Sequence, residues 1–443
     1  MVGIADKEVY TEMARTLLLK GDPQAARTYT GKVIAEIDPN YGPARLVQAR
    51  LLKGLRDLPA AGRELVSFLL LEPPDSRQSQ EVLTELKKDH GLLWHTDAEA
   101  PAGMPLDIGG KIVETQGGGG DYRLWAFNRA GGDVAWRHPG QRFLQVAPDF
   151  EKGRVFYMTG NKDNPQTLDL FEVTVASGDR KKVATLTSPR EVNRSLFAYA
   201  DGRIYSGLWR LDLQGGKATL QVLAVQADTG KVLWEKTHET PLLRMQGLWY
   251  ARGQRLFYSA AEDLWAVNGA DGAVLAHQKE PSAVAPSTRL WQQEAPPDTF
   301  YYADGDQNVV AFHTEKLAPL WRGKVPGLPA TTFVATSFVR DGAMYDMDEK
   351  VVYAVRLAPP EGGNLQVLWR IEPGAGRSFR QLILAGARLF IVRSDNTLVE
   401  LDRVTGKAIK EYPLLWESGM AVVAGNAGYV LSTTGRAYAI KLD

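Results

Sequence analysis

Three stretches of the chain set an alanine ten residues ahead of a tryptophan: Ala126 and Trp136, Ala224 and Trp234, Ala311 and Trp321. Each alanine lies in a short apolar run, such as Leu124-Trp125-Ala126-Phe127 or Leu223-Ala224-Val225. Turn residues follow, Gly132 in the first copy and Asp228-Thr229-Gly230-Lys231 in the second. Weaker copies continue the series. Ala354 reaches Trp369 after an insertion containing Pro359-Pro360 and Gly362-Gly363, and Ala266 is followed by Asp271-Gly272 but ends in Ala276. Glu172 precedes Ser177-Gly178, Glu400 precedes Thr405-Gly406-Lys407, and Ala439 stands just before the end.

The registers 126, 172, 224, 266, 311, 354, 400 and 439 recur about every 45 residues. That is the length of four short strands with their turns, the size of one propeller blade. Eight registers therefore predict a mainly β chain, an eight-bladed β-propeller over residues 91–443. The recurring alanine suits a strand where neighbouring blades crowd. The Asp/Thr-Gly pairs suit the hairpin, since glycine accepts positive φ. Trp94, Trp136, Trp234, Trp321 and Trp369 then read as structural clips, each burying a large apolar ring against the adjacent blade. The eighth copy has no room for its tryptophan. Gly91-Leu92-Leu93-Trp94 matches Lys231-Val232-Leu233-Trp234, so residues 91–95 are expected to complete the last blade and close the ring.

Residues 1–90 carry a different period. Apolar residues recur at helical spacing in Met13, Leu17, Leu18 and in Val33, Ile34, Ile37. Gly21-Asp22-Pro23 breaks the first helix pair, and Pro39 and Pro73 end the second and fourth helices 34 residues apart. At the same offset Leu17 matches Leu51, Ala26 matches Ala60 and Ile37 matches Leu71. The stretches Lys20-Gly21-Asp22-Pro23-Gln24-Ala25-Ala26 and Ile37-Asp38-Pro39-Asn40-Tyr41 resemble the tetratricopeptide repeat. The second copy departs from that pattern at Arg56-Asp57, with its glycine at Gly54. Two repeats and a capping helix over 76–90 are too few for a free-standing solenoid, so this segment is expected to lean on the rest of the chain. It serves either as a packing appendage or as a peptide-binding groove.

With 52 Lys+Arg against 52 Asp+Glu the chain is formally neutral, and residues 1–90 balance at 13 of each. Nucleic-acid partners need clustered cations and are not expected. The absence of cysteine excludes disulfides, thiol nucleophiles and Cys-ligated metals on this chain. No apolar run has the length of a transmembrane segment. No export signal is legible, so the expected location is cytoplasmic, or the periplasm or cell surface if a leader has been removed.

The unit Ala-x-Asn/Asp/Gln-x-x-Thr-Gly-Lys-x-x-Trp resembles the repeat of the pyrroloquinoline-quinone (PQQ) type β-propeller family. One branch of that family holds quinoprotein dehydrogenases. The other holds non-catalytic propellers, including the lipoprotein of the outer-membrane assembly machinery. The dehydrogenase branch commonly uses a vicinal disulfide, a Ca²⁺ site and an Asp base. This cysteine-free chain with near-minimal blades sits closer to the non-catalytic branch. The resemblance implies a protein–protein scaffold in a cell-envelope assembly, with protein partners and no cofactor. The alternatives are a quinoprotein-type dehydrogenase with an atypical PQQ/Ca site, or a ligand- or polysaccharide-binding propeller.

No residue reads as catalytic. Asp304-Gly305-Asp306-Gln307-Asn308 with Glu315 has calcium-loop spacing, but Val309 stands where the turn needs glycine. Asp346-Met347-Asp348-Glu349 reads likewise as a polar hairpin tip, and Gly117-Gly118-Gly119-Gly120 lacks the Lys-Ser/Thr of a phosphate loop. The six histidines are dispersed. Trp209, Trp249, Trp291, Trp416 and Arg244 are the candidate interface residues, with blade packing the competing role for each tryptophan.

Overall fold

The computed structural model describes every residue except 1–6, 74, 99–104, 119–120, 142–144, 162, 165, 188–193, 213–214, 242–248, 261–262, 280–297, 304–307, 328–336, 417, 434 and 443. Five helices come first: α1 (Lys7–Leu19), α2 (Pro23–Lys32), α3 (Gly42–Gly54), α4 (Leu58–Leu71) and α5 (Arg77–Asp89). Strands follow in eight antiparallel sheets, four strands in each except the fifth, which has three among the described residues. The chain is an eight-bladed β-propeller preceded by helices. Its contacts divide it into two compact units, Met1–Ala100 with Asn396–Leu398 and Glu411–Asp443, and Pro101–Asp395 with Val399–Lys410.

In the first unit the helices start where the sequence provides caps. The Asp22 carboxylate accepts from Ala25 N at 3.0 Å, and Asp57 from Ala60 N at 3.1 Å. Ser76 does the same for Ser79 N at 3.1 Å. Ala14, Ala26, Val47, Leu51, Leu52 and Ala61 form the shared helical core. The 34-residue match needs one correction. Gly21 and Arg56 both take left-handed φ, +81° and +62°, and each precedes its capping aspartate. The buried counterpart of Ala26 is thus Ala61 rather than Ala60, an offset of 35. A π-helical turn at Val33–Ile37 places one extra residue in the first copy, which restores the 34 offset at Pro39 and Pro73.

The helices lean on the last blade. A Cβ on Gly62 of α4 would lie 2.9 Å from His90 Nδ1 and 3.3 Å from Leu415 Cδ2, so only glycine lets α4 come this close. After Gly91, strand β1 (Leu92–Asp97) pairs with the final strand, Arg436–Lys441, setting Trp94 opposite Ala439. The sheet Ala439 belongs to is completed from the other end of the sequence, as the closing motif predicts, with the strand running two residues further than expected.

In the second unit the repeat acquires its physical meaning. The third and fourth strands of the first blade, Asp121–Asn128 and Val134–Gln141, are joined by a turn in which Gly132 N bonds Asn128 O at 2.8 Å. Gly178, Gly230, Gly272 and Gly406 make the same bond in their blades, each at 2.8 Å. The fourth strand carries a β-bulge beside the tryptophan position. Ala126 faces Trp136 but Phe127 faces Val134, Ala224 faces Trp234 but Val225 faces Val232, and Ala354 faces Trp369 but Val355 faces Val367. The residue left over is Ala135, Leu233 or Leu368. The bulge brings the tryptophan opposite the register alanine, and it disrupts an outer edge that could otherwise pair with another chain.

Two blades place glutamate where the others place alanine, and each brings an arginine for it. Glu172 accepts from Arg154 Nη1 at 3.1 Å, while Glu400 takes Arg388 through Nε and Nη2, both at 2.7 Å. Arg154 also meets Asp149 at 2.8 Å and Tyr199 Oη at 3.1 Å. Burial disfavours the charged guanidinium, but these partners outweigh it and hold Arg154 above its usual range.

Candidate interaction surface

Three of the expected clips, Trp136, Trp234 and Trp369, bond across blades within the second unit. The indole N–H of Trp136 donates to Val175 O at 2.9 Å, that of Trp234 to Gly269 O at 2.9 Å, and that of Trp369 to Arg403 O at 2.7 Å. In each case the acceptor lies in the turn of the following blade. Trp321 lies 5.9 Å from the Tyr301 ring of its own blade and packs on a cluster that includes Val339 and Tyr353 of the next, whereas Trp94 lies 6.0 Å from the ring of Tyr429 within its own sheet.

The other aromatic candidates lie inside as well. Trp209, Trp249 and Trp416 are 1%, 7% and 3% exposed, which removes them from the accessible surface and corrects the interface reading. Trp209 and Trp249 belong to one core between the third and fourth blades, and Trp416 packs on Tyr438 and His95. Large rings alternate with small residues on these strands because blade faces need bulk. Trp291 and Arg244 lie outside the described residues.

The polar motifs are structural where they are described. Asp304 to Gln307 lie outside the described residues. Asp346 is fully buried, accepting from Met347 N and Tyr353 Oη at 2.8 Å each, and burial raises its carboxyl to about 7 despite those two donors. Asp348 accepts from Lys350 N and Val351 N, which shapes the turn. Gly117 and Gly118 extend a strand that pairs with Tyr122 and Asp121, a hairpin as expected. Among the described residues, no three His, Asp or Glu converge as metal ligands.

Sequence distance hid one cluster. His277 stacks on Trp265 at 4.0 Å and bonds Asp263 at 2.9 Å, while His238 of the preceding blade meets the same indole at 4.8 Å. His238 Nε2 lies 2.8 Å from Tyr258 Oη. Burial is the first cause that lowers His238, and Lys236 adds to it. The period of the blades could have located this pair, because both histidines fall on fourth strands.

An open apolar groove lies on the helices. A groove of about 650 Å³ runs between α1 and α2, lined by Val9, Met13, Thr16 and Leu17 on one wall and Ala25 and Tyr29 on the other, with Glu8 and Glu12 at its border. Val9 is 52% exposed and Met13 39%. The buried residues of α1, Thr11 and Ala14, lie on the opposite stripe. Tyr29 is held in place by stacking on Tyr10 at 5.8 Å, and Lys32 caps that pair with its ammonium 4.7 Å above the Tyr10 ring. In the sequence, Met13 and Leu17 read only as core positions of a helix.

The fold and its repeat define the class, an eight-bladed β-propeller built from PQQ-type repeats. Residues 194–412 match the family described as outer membrane protein assembly factor BamB, and the resemblance read from the repeats stands on that match. Three solved structures share the fold. BamB from Moraxella catarrhalis is 11% identical with a TM-score of 0.53, covering 79% of this chain and 100% of its own. The computationally designed Ika8 protein is 12% identical with a TM-score of 0.55, covering 80% and 100%. Sqt1 from Saccharomyces cerevisiae is 10% identical with a TM-score of 0.55, covering 80% and 99%. No curated protein matches the chain in sequence. Among the described residues, no helix is long and apolar enough to cross a membrane.

Proposed function

We propose that the chain is a non-catalytic protein–protein scaffold in a cell-envelope assembly, with the propeller as a rigid platform and the helices as a contact surface. The observation that carries this reading is the α1–α2 groove. Apolar side chains of this size, half open to water on a helix whose other stripe is already buried, support a contact surface there. The match of residues 194–412 to the BamB family supports an envelope setting. The tetratricopeptide-like character of the helices and a division near residue 90 belong to the same proposal.

The test is cross-linking in the native cell, followed by purification of the full chain under native conditions. One or more other proteins in fixed stoichiometry, enriched from the envelope fraction, are the expected result. A chain recovered as free monomer from every fraction overturns the reading.

A further inference from the structure

We propose that the joint between the helical segment and the last blade is an acid-sensitive latch, loosened when His90 and His95 take up protons. The residues involved all lie in the first compact unit, and the inference does not rest on the scaffold reading.

The joint is narrow. His90 ends α5 as its C-cap, Gly91 follows at a φ of +65°, and β1 begins at Leu92. The ring of His90 closes on Gly62 of α4, where Leu415 also arrives from the segment leading into the last blade. His95 stands on β1 opposite Tyr438, its ring 5.7 Å from that of Trp416. Leu415 and Trp416 are each 3% exposed. The two imidazoles therefore meet consecutive residues of one buried apolar segment.

Each ring holds one nitrogen away from water. His90 Nε2 and His95 Nδ1 are buried and have no hydrogen-bond partner among the described residues. A neutral imidazole tolerates this, since only one of its nitrogens carries a proton. An imidazolium donates from both, so protonation places an unpaired, charged N–H inside the joint. Opening the joint to water removes that penalty.

Neighbouring charges do not rescue the charged rings. Burial is the main reason that His90 lies below its ordinary value. Asp89 and Glu85 of α5 pull the other way, as does the C-terminal end of that helix, and Lys53 of α3 adds to the lowering. Lys53 also bonds both carboxylates at 2.6 Å, so they are already engaged. Burial leads again at His95, joined by Arg436 of the last strand and Lys87 of α5, while Asp97, paired with Arg436, opposes them. Burial keeps the Tyr438 hydroxyl neutral. Both histidines thus bind protons more weakly docked than free. Docking is complete above the ordinary histidine value of about 6.5 and weakens below it, by up to about tenfold per pH unit for each ring. The buried carboxyl of Asp346 in the second unit responds with the opposite sign, so it cannot supply an acid loosening.

Because the chain has no cysteine, one introduced thiol reports opening at one place. Leu415→Cys sets it in the joint, Lys20→Cys on the exposed turn after α1, and Ala224→Cys in a buried strand of the second unit. Each full-length variant is treated with a pyridyl disulfide, which reacts down to acid pH, between pH 7.5 and pH 5.0. Dividing by the Lys20→Cys rate removes the titration of the thiol itself. The Leu415→Cys ratio should rise about fivefold or more at pH 5.0 while the Ala224→Cys ratio stays level. Adding His90→Gln and His95→Gln should hold the Leu415→Cys ratio level too. A ratio indifferent to pH, or one that rises equally with both glutamines in place, overturns the proposal. So does an equal rise at Ala224→Cys, which would mean general unfolding. If the glutamine variant does not fold, NMR titration of the parent imidazoles decides. His90 and His95 must both titrate below about 6.5, and an ordinary or raised value at both sinks the latch.

Discussion

A methyl group added to Gly272 would lie 2.8 Å from the indole of Trp234, one blade back in the sequence. The same relation joins Gly178 to Trp136 at 2.6 Å and Gly406 to Trp369 at 2.7 Å. Two requirements therefore meet in one residue. The hairpin needs positive φ, +71° at Gly272, and the neighbouring ring needs the space a side chain would occupy. The turn glycine and the tryptophan recur together because one blade's turn is the seat of its neighbour's clip.

This coupling can be measured. Gly272→Ala should destabilise the protein by about 2–4 kcal/mol, combining backbone strain with overpacking against the ring. Gly216 has a similar φ of +63° but nothing within 4 Å of an added Cβ, so Gly216→Ala should cost only about 1 kcal/mol. Trp234→Phe keeps most of the ring but leaves Gly269 O without its donor, at a cost of about 1–3 kcal/mol. Urea titration of the full chain checks all three. Equal losses for Gly272→Ala and Gly216→Ala would show that the ring contact adds nothing.

The glutamates at the alanine register yield a second expectation. Arg388 binds both oxygens of Glu400, and the two side chains are 28% and 12% exposed. Glu400→Ala removes two charge-assisted bonds from Arg388, which keeps its stacking on Phe390, and should cost about 1–3 kcal/mol. Arg388→Ala, which removes the same two bonds from the other side, should cost a similar amount. Glu400→Ala with Arg388→Ala should cost less than the sum, leaving a coupling of about 1–3 kcal/mol in a double-mutant cycle. Strict additivity would mean that water already satisfies both groups.

What the sequence made legible is what the blades repeat. Trp136, Trp234 and Trp369 could be placed on fourth strands because turn, bulge and ring lie within ten residues of one another. The closing strand could be found because Leu93-Trp94 copies Leu233-Trp234. Features without a local pattern were not legible. Arg56 takes a left-handed turn that glycine usually fills, and the π-helical turn at Val33–Ile37 shifts the helical register by one residue. Trp209, Trp249 and Trp416 carry two readings, interface anchor and blade packing, until their blade faces are known, and burial decides for packing. His238 and His277 meet over Trp265 only when consecutive blades are laid side by side. The α1–α2 groove was hidden because Met13 and Leu17 satisfy a core pattern and an open pattern equally well.

Asp346 connects the fold to pH. Its carboxyl lies opposite Tyr353 on the neighbouring strand, is fully buried, and titrates at about 7 in the folded chain. Burial is the dominant cause, and nearby Asp348 adds to it. An unfolded aspartate titrates near 3.9. Between those values the native state binds the extra proton, so stability falls as pH rises from about 4 to about 7 and levels off above. Every tenfold difference in proton affinity between the folded and unfolded chain is worth about 1.4 kcal/mol, which makes the total a sizeable part of an ordinary domain's stability. Asp346→Asn keeps an oxygen acceptor for Tyr353 Oη or Met347 N and cannot ionise. Thermal melts at pH 5 and pH 8 should therefore show the variant gaining on the parent by several degrees at the higher pH. A difference between the two proteins that does not change between pH 5 and pH 8 would mean that Asp346 has the same pKa folded and unfolded.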